Sequence, residues 1–196
     1  MNNCIVIHIG GFFIMKRILF SFLVFITIFT FFGCQQVKEQ VEALEHPEYE
    51  KIEDADGILE KILEHIAEVT PELSFEDGEL VDSELGVPHF ERVSFLEIEH
   101  FNDDDVVEGF IVRPVVDVDN PRLLIVLKAD SKEASESLDL AMLKVHSDQL
   151  VKFAKAGIWE TSLINDNKTV RQGDFLIYVT WNGAEDIVKV FERHVR

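Results

Sequence analysis

Cysteine and basic residues are scarce in this sequence. There are 2 cysteines in 196 residues, and 18 basic residues against 37 acidic ones give a formal net charge of −19. Contacts to nucleic-acid phosphates are made chiefly by Lys and Arg, and a strongly acidic surface repels the phosphate backbone. Nucleic acid is therefore not expected as a partner.

Several catalytic motifs are missing as well. The sequence has no Gly-x-Ser-x-Gly elbow, no Ser-x-x-Lys and no His-Glu-x-x-His, and its 7 histidines are scattered. These motifs place a nucleophile beside a base, or two imidazoles on one helical face. No glycine-rich loop stands between a strand and a helix in phosphate-binding form. The absences disfavour several common hydrolase classes, and no cofactor is predicted.

The longest apolar run lies near the N-terminus. Residues Ile18 to Phe32 are uncharged, Lys16 and Arg17 precede them, and the small residue Gly33 follows. A basic stretch, an apolar run and a small residue in this order are typical of a secretory signal peptide. The run is shorter than the about 20 apolar residues that span a bilayer but could be extended, so an uncleaved membrane anchor is an alternative, and simple secretion is a third.

The end of this run resembles the lipobox of bacterial lipoproteins, in the stretch Phe31-Phe32-Gly33-Cys34. The family usually has an aliphatic residue where Phe31 stands and a small residue where Phe32 stands. The resemblance implies a signal peptide over residues 1–33, cleavage between Gly33 and Cys34, and lipidation of the Cys34 thiol. The mature chain would then have no disulfide, and would be held on the outer, extracytoplasmic face of the cell membrane.

The first fourteen residues do not fit a signal peptide, because a second apolar stretch precedes Lys16. Gly10-Gly11 followed by Phe12-Phe13-Ile14-Met15 is what a purine-rich ribosome-binding site and a T-rich spacer would encode. We therefore predict that translation starts at Met15 and that the codons of Gly10 and Gly11 read GGA and GGT. Sequencing the gene checks this, and codons that do not spell GGAGG would contradict it.

Behind the signal, the chain divides into an acidic tether over residues 34–56 and a single domain over residues 57–196. Apolar residues at helical spacing predict a helix from Ile58 to Val69, ended by Pro71. The unbroken run Leu123 to Leu127 predicts a strand that is covered on both faces.

The remaining elements complete an α+β fold, a small sheet of about four strands packed by two or three helices. Weaker strand patterns cover residues 90–98 and 106–118, and a core strand covers Phe175 to Val179. Asp130 with Glu133 predicts the cap of a long helix that ends at Gly157, and Asn182 with Glu185 predicts the cap of the last helix.

From about Val106 to Val195, the order of these elements is similar to a family of bacterial lipoproteins that carry domain of unknown function 4358. The matching stretches are Arg122 to Asp130 and Gly173 to Trp181. Members often have an acidic residue before the first core strand, where this chain has Asn120-Pro121-Arg122. The resemblance implies the fold and the location, and it transfers no catalytic residue.

An acidic cluster and two tryptophans are the candidate site residues. Asp103, Asp105 and Glu108 could offer oxygen ligands to Ca²⁺, together with three further aspartates: Asp104, Asp117 and Asp119. A solvated turn is the preferred interpretation, because the glycine of an EF-hand loop is missing. Trp159 and Trp181 could line a ligand surface, although core packing is the commoner role.

The sequence therefore predicts a membrane-anchored lipoprotein that is not an enzyme and presents a binding or interaction surface to an envelope protein or ligand. The alternative is a lipid-anchored hydrolase that uses carboxylates, with or without Ca²⁺. A solute receptor is disfavoured, because such receptors usually close two domains around a ligand and only one domain is predicted here.

Overall fold

A computed structural model describes residue 49, residues 51–115 and residues 120–195. The predicted signal peptide, Met15, Gly33 and Cys34 lie outside these residues, as do residues 34–48 of the tether and the two aspartates at 117 and 119. The signal, cleavage and lipidation assignments therefore stay predictions. Within the described residues, no helix has the length and apolar character needed to cross a bilayer.

The described residues form four α-helices and seven β-strands, which confirms the α+β class. The N-terminal half contains α1 (Ala55–Val69), β1 (Leu73–Glu76), β2 (Glu79–Asp82), β3 (Phe90–Ser94) and β4 (Val106–Pro114). The C-terminal half contains β5 (Leu123–Ala129), α2 (Lys132–Lys152), α3 (Ile158–Asn165), β6 (Lys168–Gln172), β7 (Phe175–Thr180) and α4 (Ala184–His194).

Five strands make one antiparallel sheet in the order β3-β4-β5-β7-β6, and β1 pairs with β2 in a separate hairpin. In the centre, Ile125 of β5 lies opposite Tyr178 of β7, and Val126 lies opposite Ile177. Successive side chains of a strand point to opposite faces of the sheet. Each central strand therefore supplies side chains to two separate cores.

The two cores lie on opposite faces of this sheet. Ile125 and Tyr178 face α2, whereas Val126 and Ile177 face α1, α4 and the β1–β2 hairpin. Residues 124 to 127 are all fully buried. The predicted covering of this strand on both faces is confirmed, and the architecture is a sheet between two helical layers.

The domain begins before residue 57, where the sequence analysis places the end of the tether. Asp54 caps α1 by accepting a hydrogen bond of 2.6 Å from the Gly57 backbone N–H. The N–H of Ile52 donates to the carbonyl oxygen of His194 at 2.8 Å, and Ile52 forms a parallel bridge with Val195. The segment just ahead of α1 is therefore fixed to the end of α4.

Two of the predicted helix caps are wrong. The cap of α2 is Ser131, whose hydroxyl accepts from the Ala134 N–H at 3.1 Å, because the N–H of Asp130 is bonded to the Asp105 carbonyl instead. The cap of α4 is Gly183 in a left-handed conformation with φ of 74°. Asn182, the predicted cap, instead accepts hydrogen bonds from a guanidinium group.

The C-terminal half contains more structure than the sequence patterns predict. Helix α2 ends at Lys152, not at Gly157, and Gly157 directly precedes a further helix, α3. The edge strand β6 is a further addition in this half, and the β1–β2 hairpin is an addition in the N-terminal half. The sheet therefore has five strands where about four are predicted, and four helices are described where two or three are predicted.

We predict that Gly109→Ala destabilises the domain. A methyl group on Gly109 would overlap the Leu127 side chain and lie 3.2 Å from Phe95 Cδ1 and 3.3 Å from Val106 Cγ1. Overpacking of this kind costs about 1 to 3 kcal/mol of unfolding free energy. Urea unfolding followed by tryptophan fluorescence measures the change. Val107→Ala on the same strand is the control, since its side chain is mostly exposed, and equal losses for the two variants would contradict the prediction.

Candidate functional site

The structure does not gather the acidic candidates around one point. Asp103 and Asp105 lie in a 3₁₀ turn, Asp103–Asp105, just before β4. The Asp105 carboxylate accepts from the Ser137 hydroxyl of α2 at 2.9 Å, whereas the Glu108 carboxylate accepts from the Ala55 N–H at the start of α1 at 2.8 Å.

These two helices cover opposite faces of the sheet, so Asp105 and Glu108 are directed apart. Glu108 acts as an acceptor at a helix N-terminus, where a negative charge is favoured by the helix dipole. Within the part of the chain that the structure describes, no group of three His, Cys, Asp or Glu side chains is placed to hold a metal ion.

A buried polar network joins α2 to the sheet. The Gln149 amide oxygen accepts from the Tyr178 hydroxyl at 2.5 Å and from the Thr180 hydroxyl at 3.0 Å. Its amide nitrogen donates to the Pro121 carbonyl oxygen at 3.0 Å. Each end of the buried Gln149 side chain is therefore paired, as the low polarity around it requires.

The network continues from Tyr178 toward α3. The Tyr178 hydroxyl lies 3.4 Å from Nδ1 of His146, and the Asn167 amide nitrogen lies 3.1 Å from the same imidazole atom. Burial raises the pKa of Tyr178 from 10.0 to about 12. A tyrosine that holds its proton this firmly is a hydrogen-bond donor in the fold and a poor general base at neutral pH.

An open groove of about 560 Å³ lies between α3 and the start of α4. Trp159 is 45% exposed on its rim, whereas Trp181 is buried and packs 4.5 Å from the Phe90 ring. The two tryptophans, which the sequence did not distinguish, thus have different roles. The Arg122 guanidinium lies 5.2 Å from the Trp159 ring and donates to the Asn182 side chain at 3.1 Å.

Asp186, an acidic residue in the lining of this groove, is not a candidate general acid. Asp186 is hydrogen-bonded to the Lys189 ammonium at 2.8 Å, and this contact lowers the pKa of the Asp186 carboxyl. A carboxylate that stays ionised cannot serve as a general acid at neutral pH. The groove is a polar surface depression, and its geometry does not identify a reaction.

The outward face of α2 is unexpectedly apolar. Leu140 and Leu143 are each 63% exposed, Val151 is 74% exposed and Leu150 is 37% exposed. We call these four residues the outer patch. The sequence analysis did not predict this exposed face. Its signal is the spacing of Leu140, Leu143 and Leu150, which recur at helical intervals on the side opposite Leu138 and Met142.

No protein-family model, curated protein or solved structure matches this chain. Membership of the lipoprotein family that carries domain of unknown function 4358 therefore stays a prediction.

We predict that Tyr178 ionises near pH 12 and that its ionisation destabilises the fold. Because its folded-state pKa lies above 10.0, its contribution to stability is complete below pH 10 and is lost as the pH rises toward 12. The loss is about 2 to 3 kcal/mol over this range. Ultraviolet titration of tyrosinate measures the ionisation. Tyr178→Phe should remove the late step and Tyr49→Phe should keep it, and the opposite result would contradict the assignment.

Proposed function

We propose that this chain is a lipoprotein anchored to the extracytoplasmic face of the cell membrane, and that its folded domain is a non-enzymatic interaction module. The outer patch is the observation that supports the interaction module. Soluble domains rarely expose contiguous apolar side chains along one helix unless that surface contacts a partner. Here the surface belongs to a long helix that is well packed on its other side.

The anchoring part of the proposal is supported by the sequence. The basic pair, the uncharged run of residues 18–32 and the Gly33-Cys34 junction provide the order that lipoprotein processing requires. Only 14 residues lie between Cys34 and Tyr49, so an anchored domain would stay within about 50 Å of the bilayer. Two or more acyl chains give stable anchoring where one chain does not.

The hydrolase alternative gains no support from the described residues. The carboxylates of Asp105, Glu108 and Asp186 are bonded to different partners on three different helices. General acid and base catalysis by two carboxylates needs both groups to face one substrate bond. Asp105, Glu108 and Asp186 are not arranged in this way, and an interaction surface accounts better for the exposed apolar residues.

We predict that Cys34→Ser abolishes lipid attachment. Cells that express the full chain are supplied with a clickable fatty acid, and label on the purified protein is measured. The matched control is Cys4→Ser, which removes the other thiol and should leave the label unchanged, because Cys4 lies in the segment predicted to be removed. A Cys34→Ser protein that still takes up label at the original level would refute the anchor.

A further inference from the structure

We propose that the outer patch docks on the lipid bilayer itself, with its apolar side chains among the headgroups and the neighbouring lysines on anionic lipids. This inference rests on the proposed function and deepens it, because the partner of the interaction module is then the membrane that the anchor brings close. Three features of α2 and its surroundings support it: an exposed apolar face, a local excess of positive charge, and exposed side chains of the kind found at membrane interfaces.

The first feature is the exposure of the apolar face. Leu138, Met142 and Val145 of α2 are buried against the sheet, while the four residues of the outer patch face away from it and are exposed. A helix with an apolar face can lie in a membrane interface, with that face about 5 to 10 Å into the boundary between headgroups and acyl chains. The outer patch is a face of this kind on a helix that the domain already holds in place.

The second feature is the charge around this face. Residues 140–159 contain three lysines, one aspartate and no glutamate, in a chain with 37 acidic and 18 basic residues. Lys144 and Lys152 stand four residues to either side of the aspartate, Asp148, whose carboxylate is bound to His100 at 2.6 Å. One lysine near an anionic bilayer strengthens binding about fivefold. The local charge therefore complements a surface that contains anionic lipids.

The acidic residues closest to this face in the sequence need not touch the bilayer. Glu160 follows the basic stretch, but its Oε2 is buried beside Gly157. Glu133 and Glu136 lie toward the N-terminal end of α2, and Glu136 is about 22 Å from Val151 along the helix axis. Charges act over about 8 Å at physiological ionic strength. A contact through the C-terminal part of α2 therefore avoids their repulsion.

The third feature is the start of α3, which follows α2 after a short turn. Ile158 is 93% exposed, and its neighbour Trp159 is 45% exposed. The Arg122 guanidinium lies 5.2 Å from the Trp159 ring, and together with Lys152 it lines a hollow at the C-terminal end of α2. Trp159 thus lies next to the basic end of this helix. Tryptophan with nearby Lys and Arg is the combination that marks the interfacial regions of membrane proteins.

The predicted tether allows the patch to reach the bilayer. A domain of this size is about 40 Å across. The 14 residues between Cys34 and Tyr49 span up to about 50 Å when extended, so any side of an anchored domain can turn toward the membrane. Anchoring also keeps the patch at a high effective concentration beside the lipid, so a weak contact is populated.

The experiment places a fluorescent probe in the patch of the anchored full chain. The predicted mature chain has one cysteine, Cys34, and its thiol is acylated, so Val151→Cys adds the one thiol that takes up the dye NBD. The labelled protein is purified from cells that process lipoproteins and is placed in vesicles of phosphatidylglycerol and phosphatidylcholine in equal parts. Docking should shift the NBD emission to the blue, and phospholipids with brominated acyl chains should quench it about twofold.

A second probe position and a second lipid composition are the controls. Leu85→Cys carries the same dye at a leucine that is 73% exposed beyond β2. Its emission should stay that of a dye in water, without quenching by the brominated lipids. In vesicles of phosphatidylcholine alone, the probe at position 151 should lose most of its blue shift, because the lysines then have no anionic lipid to bind.

Two charge variants separate a specific surface from general attraction. Lys144→Gln with Lys152→Gln should lower the ratio of docked to undocked domain about thirtyfold, since each lysine contributes about fivefold. Lys61→Gln with Lys189→Gln removes the same charge from α1 and α4, which cover the opposite face of the sheet. This pair should leave the ratio unchanged. Equal losses for the two pairs would overturn the assignment of the surface to α2.

Each outcome decides the inference. A blue shift at position 151 that brominated lipid quenches and that requires anionic lipid supports it. A blue shift without quenching shows that a second copy covers the patch, and it overturns the inference. Emission of a dye in water at position 151 overturns it as well. Dye uptake by the chain without an added cysteine shows a free Cys34 and refutes the anchor, and the docking with it, whereas an unlabelled chain with a water-exposed probe refutes the docking alone.

Discussion

The burial of β5 and β7 on both faces is the constraint on which the rest of the structure depends. Each strand places alternate side chains into two cores, so neither core can form unless a helical layer covers its face of the sheet. The helices α1 and α4 satisfy one face, and α2 satisfies the other. This requirement fixes where α2 lies, and α2 in turn carries the buried polar network and the outer patch.

Two features fix how α2 is rotated about its own axis. The face with Leu140 and Leu143 also carries Glu133, Glu136 and Lys144, so turning it toward the sheet would bury charged side chains. Gln149 favours the observed rotation as well, because its amide is fully paired when it faces the sheet. An unpaired buried polar group costs about 1 to 3 kcal/mol. The charged outer side chains and the polar network therefore together determine which face of α2 stays outside.

The elements that the sequence predicts well are those whose apolar pattern is regular. Helix α1 and the two central strands are of this kind, because burial alone explains their residues. Strand β6 contains one apolar residue, Val170, among four polar or charged ones at the sheet edge, so it gives almost no apolar signal. The caps depend on distant partners: Asp130 is bound to Asp105 and Asn182 to Arg122, and no local motif reveals these pairs. The same reason explains why Asp103, Asp105 and Glu108 do not surround one Ca²⁺ site. The partner of Glu108 is Ala55, which is 53 residues away in the sequence.

The acidic composition and the outer patch are two parts of one physical arrangement. A chain with a net charge of −19 repels its own copies and most other acidic proteins over about 8 Å at physiological ionic strength. Such repulsion suppresses contacts in nearly every orientation, which an exposed row of leucines would otherwise promote. Around the outer patch this acidic excess is absent, because residues 140–159 contain three lysines and one aspartate. Charge thus disfavours encounters over most of the acidic surface, and the exposed apolar side chains lie where that repulsion is weakest.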